Sequence, residues 1–127
     1  MKKILFDSDV VIEYLRESPR VVSEVDQLVA SSAILAVTPV TEAEILQGLR
    51  SHERMKTEKL LGSMDCLDLN RQVGRLAGQY LRKFARSHGL EVPDALIAAA
   101  AVVHRFSLCS FNWRHYPMSD IERHRIE

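Results

Sequence analysis

Four oxygen-bearing side chains stand far apart in the chain, at Asp7, Glu44, Asp94 and Asn112, with Ser110 just before the last. Asp7 closes a short apolar run, and Asp9 follows two residues later in "KKILFDSDVVIEYL". Carboxylates gathered in one place repel one another unless a cation lies among them. Hard oxygen donors without a His or Cys cluster suit Mg²⁺ or Mn²⁺. Such ions polarise a phosphate and lower the pKa of water, so a shared site for these acids would suit phosphoester hydrolysis.

Each residue alone has a plainer account. An Asp between a strand and a helix is a common N-cap, and Asp9 reads as a helix-start residue that orders the turn. Asp94 beside Pro93 complements a helix dipole. Glu44 alone is a solvated helix residue, while Ser110 and Asn112 alone are turn formers. Taken together they are more informative, because every one falls at the same end of an expected element.

Those elements come from hydrophobic period. Residues 4–6, 33–37, 66–69 and 107–110 are short apolar runs that read as strands, and 121–126 is a weaker edge candidate. Helical spacing runs over 10–15 and, after Pro19, through Val21, Val22, Val25, Leu28 and Val29. Thr41 is expected to cap a helix running to about Leu49 and, with Ser110 and Asp9, to support the acids. Residues 52–61 are charged and helical; Asn70 caps a helix that stops at Gly89, and Pro93 opens an alanine-rich helix, 94–104. Strands alternating with helices predict an α/β fold: one domain over 1–127, a mostly parallel sheet of four to five strands, and helices on both faces. In such sheets ligands bind beyond the carboxyl ends of the strands, where these residues fall.

Glu42 competes with Glu44. The two lie about 200° apart round a helix, so only one can face a shared site. Glu44 sits one turn before Gly48, whose missing side chain leaves room, and is preferred. The helix from Asn70 holds no acid, and Arg71, Arg75, Arg82 and Arg86 align in a stripe about 60° wide. That stripe suits phosphates or an acidic partner, or is simply a solvated face. Trp113 and Tyr116 suit core packing better than stacking on a base.

Lys plus Arg and Asp plus Glu number 17 each, so net charge points to no partner. The longest apolar run, 95–103, is too short to span a bilayer, and no signal-peptide pattern opens the chain. Cys66 and Cys109 lack metal-ligand spacing and are expected to be buried, reduced thiols of a cytoplasmic protein. The five histidines are scattered and read as surface or satisfied polar groups.

With these positions assembled, the chain resembles a PIN domain, and most of all the VapC-type ribonuclease toxins of toxin–antitoxin pairs. "LFDSDVVIEYL", "VTPVTEAEILQGL", "VPDALIAAAAV" and "LCSFNWRHYP" resemble the four family segments, in order and at the right separations. The resemblance implies metal-site acids at Asp7, Glu44 and Asp94, with Asn112 and Ser110 in support; toward such a site Arg114 and, more loosely, the arginine stripe would steer RNA. It implies Mg²⁺ or Mn²⁺, an RNA substrate, a homodimer and a cognate antitoxin whose segment enters the site. Asn112 stands where many members carry Asp, which removes a charge and weakens binding of a second ion. Ser8 replaces a common Thr and keeps the hydroxyl.

Two other families share part of the pattern. Asp7-Ser8-Asp9-Val10-Val11 also fits the opening of haloacid-dehalogenase-like phosphatases, but those need a downstream Lys and a late acidic pair. Residues 90–108 contain no Lys, and their only acids are Glu91 and Asp94. A receiver domain needs a phosphoacceptor Asp after strand three, and Asp68 lies inside that run. A PIN-like module that binds RNA or a partner without cutting stays open.

Overall fold

The computed structural model describes residues 1–127. Four short strands, β1 (Lys3–Phe6), β2 (Ile34–Val37), β3 (Asp65–Cys66) and β4 (Ser107–Cys109), form one parallel sheet in the order β3-β2-β1-β4. Six α-helices connect them: α1 (Ser8–Leu15), α2 (Pro19–Ala30), α3 (Pro39–Gln47), α4 (Arg54–Gly62), α5 (Arg71–His88) and α6 (Val92–His104).

Alternation along β1 divides the core. Ile4 and Phe6 point into one apolar cluster with Val10, Val21, Leu28 and Ile45, from α1, α2 and α3. Leu5 points into the other, with Ala36, Leu108 and the buried faces of α5 and α6. Successive side chains of a strand point to opposite faces, so helices cover both sides of the sheet. α6 crosses its face with Ala98, Ala99, Ala100 and Ala101 all fully buried. Small side chains let the helix lie close to the strands, and the larger apolar residues of α5 then cover α6.

Several boundaries differ from those read in the sequence. Thr38, rather than Thr41, caps α3, because Pro39 takes the first helical position, where its missing N–H costs nothing. The Thr38 hydroxyl accepts from the Thr41 backbone N–H at 3.4 Å, and Thr41 is buried inside the helix with its own hydroxyl unpartnered. The third strand stops at Cys66 because it is an edge with only two paired residues, and the chain then turns so that the Asp68 carbonyl meets the His104 ring at 2.9 Å. At that edge Cys66 is exposed, not buried, whereas Cys109, the last residue of β4, is buried. Partial desolvation and the neighbouring Glu42 push the Cys66 thiol up to about 11, so it stays protonated at neutral pH. The fifth strand is reduced to a single parallel bridge between Leu108 and Arg123. No helix is long and apolar enough to cross a membrane.

Candidate active site

The parallel register puts the carboxyl ends of β1 and β4 side by side. Asp7 leaves β1, its backbone N–H donates to the Cys109 carbonyl at 2.9 Å, and Ser110 leaves β4. Asp7 is also the N-cap of α1, with Oδ1 accepting from the Ser8 N–H at 2.8 Å. Its other oxygen, Oδ2, accepts from the Ser110 hydroxyl at 2.9 Å and from the Tyr116 hydroxyl at 2.7 Å. Three donors therefore hold one buried carboxylate in a single orientation. The same Tyr116 hydroxyl reaches Asp94 Oδ1 at 3.4 Å, from the first turn of α6.

Glu44 completes the set from α3. Burial raises its pKa, and the charges of Asp7 and Asp94 add to the rise, while the Ser8 side chain opposes it with a hydrogen bond. Glu42 points elsewhere and lies against the Cys66 thiol, as two positions about 200° apart on one helix must. Burial, then the charge of Asp7, likewise raises Asp94, and His115 opposes that from 3.2 Å. The three acids contributed by β1, α3 and α6 thus share one edge, and no Lys or Arg is ion-paired to any of them. Gly48 lies beside Glu44 in a groove of about 450 Å³ that also includes Ile12, Leu15, Arg16 and Arg50. A larger hollow of about 670 Å³, beside Tyr14, Val22, Asp26 and Lys56, lies away from the acids.

The donor set is chemically suited to a hard cation: three carboxylates with hydroxyl groups between them and no thiolate. The acids do not close into a ready-made cluster of three ligands.

Asp9 does a different job from Asp7. It lies in the first turn of α1 and reaches across to β4, where its Oδ2 accepts from the Phe111 N–H at 3.0 Å and the Ser110 hydroxyl at 3.4 Å. It orders the turn, and it does so by tying two distant segments together. Its Oδ1 is buried without a partner, and burial followed by the charge of Asp7 pushes its pKa up to about 6. In the folded chain Asp9 therefore keeps its proton to higher pH than in the unfolded chain. Its contribution to stability is best below about pH 4 and is lost as pH rises toward 6. Because Asp9 is partly solvated, the loss is on the order of 1 kcal/mol. Asp9→Asn should remove this slope. Urea unfolding of both proteins in EDTA at pH 4 and pH 7 checks it, and an unchanged difference between the two pH values would exclude it.

Asn112 meets the site mainly through its backbone, whose N–H donates to the Ser110 hydroxyl at 3.0 Å. Its side-chain amide lies 2.9 Å from His115 Nδ1. Arg114 is exposed just beyond. His115, read only as a scattered polar group, and Tyr116, read only as a core ring, are the two residues whose contact with the acids sequence patterning does not show. Tyr116 is a core residue, as expected, at 1% exposed, but its hydroxyl emerges on the acids. A usable signal existed: both lie within six residues of Ser110, at the end of β4 where ligands of parallel sheets bind.

A PIN-domain family model matches residues 4–121. The chain belongs to the PIN-domain family. Ribonuclease VapC10 of Mycobacterium tuberculosis (strain ATCC 25618 / H37Rv) is 38% identical to this PIN domain over 118 residues, covering 91% of this chain and 86% of that protein. The fold is shared with solved structures at lower identity. One is VapBC2 from Rickettsia felis bound to a DNA fragment from its promoter, with TM-score 0.83 at 15% identity over 98% of this chain and 99% of that one. Another is a toxin–antitoxin complex from Klebsiella pneumoniae, with TM-score 0.76 at 20% identity over 93% and 94%.

Proposed function

We propose that this PIN domain is an endoribonuclease that hydrolyses RNA phosphodiester bonds and serves as the toxin of a toxin–antitoxin pair. The observation that carries it is the placing of Asp7, Glu44 and Asp94 within electrostatic reach of one another beyond the carboxyl ends of the strands, from three separate elements. The likeness to Ribonuclease VapC10 supports RNA as substrate. The likeness in fold to toxin–antitoxin complexes supports a cognate antitoxin as partner. We place the activity in the cytoplasm, with a homodimer as the working assembly.

Asp7, Asp94 and Glu44 are the residues that would hold Mg²⁺ or Mn²⁺. Bound there, the ion supplies positive charge to the phosphate and lowers the pKa of the attacking water. The chain's own residues do the positioning. Ser110 and Tyr116 donate to Asp7 and leave it no freedom to rotate. Tyr116 stays a neutral donor throughout, because burial and then the charges of Asp7 and Asp94 raise its pKa far above neutrality. Asp9 clamps the β4 turn, so Ser110 and Asn112 keep their places. Thr41 packs inside α3 and supports Glu44 only by holding that helix. Arg114, exposed beside the edge, is available to an RNA phosphate.

Purified protein should cut RNA with Mg²⁺ or Mn²⁺ and stop on addition of EDTA. Steady phosphate release from a small phosphomonoester, with RNA left intact, would replace this function with a phosphatase. RNA binding without cleavage under any divalent ion would leave a binding module.

A further inference from the structure

The arginine stripe of α5 is not absorbed by the acidic edge. Arg71, Arg75, Arg82 and Arg86 are all exposed, and none takes part in an ion pair. Val73, Ala77 and Tyr80 bury the opposite face against the core. We propose that this stripe is a second RNA-backbone site, which holds the strand running away from the scissile phosphate. The proposal rests on the ribonuclease function proposed above.

Placement supports it. α5 and α6 are joined by only residues 89–91, and Gly89 takes the left-handed conformation that turns the chain there. Asp94 lies in the first turn of α6. Arg86 is therefore at the acidic end of α5 and Arg71 at the far end, about 22 Å away along the helix. A strand leaving the site meets one row of positive charge in a protein whose net charge is zero.

The chemistry of the face favours a nucleic acid strand over an acidic peptide. Protein partners draw most of their affinity from a few anchors, chiefly Trp, Tyr and Arg, seated in well-packed, desolvated pockets. Between and beside these arginines lie Gly74, Gly78 and Ala85, which offer no such anchor. A Cβ built on Gly74 or Gly78 would meet nothing within 4 Å, so neither glycine is needed for packing inside the fold. A backbone can approach the helix closely there, with guanidinium groups beside it. Phosphate contacts of this kind carry no sequence information, so the stripe adds affinity and direction without choosing bases.

Counterion release provides the test. Each phosphate contact on a single strand contributes a slope of about −0.7 to log K against log salt. In EDTA, which prevents cleavage, binding of a long single-stranded RNA should lose about three units of slope when all four arginines become Gln. A four-fold Arg→Lys variant should keep most of that slope. A short RNA confined to the acidic edge should bind and be cleaved as before by both variants. An unchanged slope for the long RNA would overturn the second site while leaving cleavage in place. Equal losses for short and long RNA would also overturn it, since the arginines would then act at the cut itself. Normal RNA binding with lost inhibition by the antitoxin would assign the stripe to an acidic protein. Failure of the unaltered protein to cut either RNA in Mg²⁺ would instead remove the function beneath the proposal.

Discussion

Asp7→Asn should leave a folded protein that cuts RNA on the order of 10³-fold more slowly. The substitution separates the two tasks of this residue. As the N-cap of α1, Asp7 offers Oδ1 to the Ser8 N–H, and Asn caps a helix equally well. The Ser110 and Tyr116 hydroxyls that donate to Oδ2 can turn and accept from an amide instead. Helix, turn and core are therefore retained. The charge is not, and several kcal/mol of transition-state stabilisation by a bound cation depends on it. Cleavage of a labelled RNA measures the loss, and thermal unfolding verifies the fold. Cleavage within ten-fold of the unaltered protein would remove Asp7 from the chemistry.

Tyr116 carries the second large effect, and two substitutions separate its roles. Tyr116→Ala empties a fully buried ring site in the cluster under α6 and should cost about 3–5 kcal/mol. Total stabilities are only about 5–15 kcal/mol, so this change threatens the fold. Tyr116→Phe keeps the ring and removes the hydroxyl shared by Asp7 and Asp94. Its cost without a cation should be about 1–2 kcal/mol, because Ser8 and Ser110 still donate to Asp7. Its response to Mg²⁺ should differ as well. Without that hydroxyl, Asp7 and Asp94 lose a shared neighbouring donor, their repulsion is less compensated, and a cation bound by these acids would have more to neutralise. Mg²⁺ should then raise the melting temperature of Tyr116→Phe by more than it raises that of the unaltered protein. Equal shifts would reduce Tyr116 to a packing residue.

That Glu44 and Glu42 face different surroundings was legible because a helix cannot turn two positions separated by two residues to one side. The role of Asp9 was only half legible. Its place at a helix start is local, but its partner Phe111 is more than a hundred residues away and has no trace in local patterning. Thr38 caps α3 in place of Thr41 for a related reason. Both Thr38 and Thr41 are chemically able to cap, and the tolerance of Pro39 for the first helical position settles between them.

By itself the sequence determined the alternation of strands and helices, the two-sided core, Asp7 at a strand end and Asp94 in the first turn of a helix. These depend on hydrophobic period and capping chemistry, which act over a few residues and leave their mark in spacing. Tertiary structure alone decided that the hydroxyl of a core tyrosine would bridge Asp7 and Asp94 and that His115 would face Asp94. It also decided that β3 would end after two residues, leaving Cys66 exposed. The site contacts depend on the register of β1 against β4 and on the packing of α6 over the sheet, and the end of β3 on its pairing with β2 alone at the sheet's outer side. Register sums many weak contacts between distant segments, so no single stretch of sequence records it.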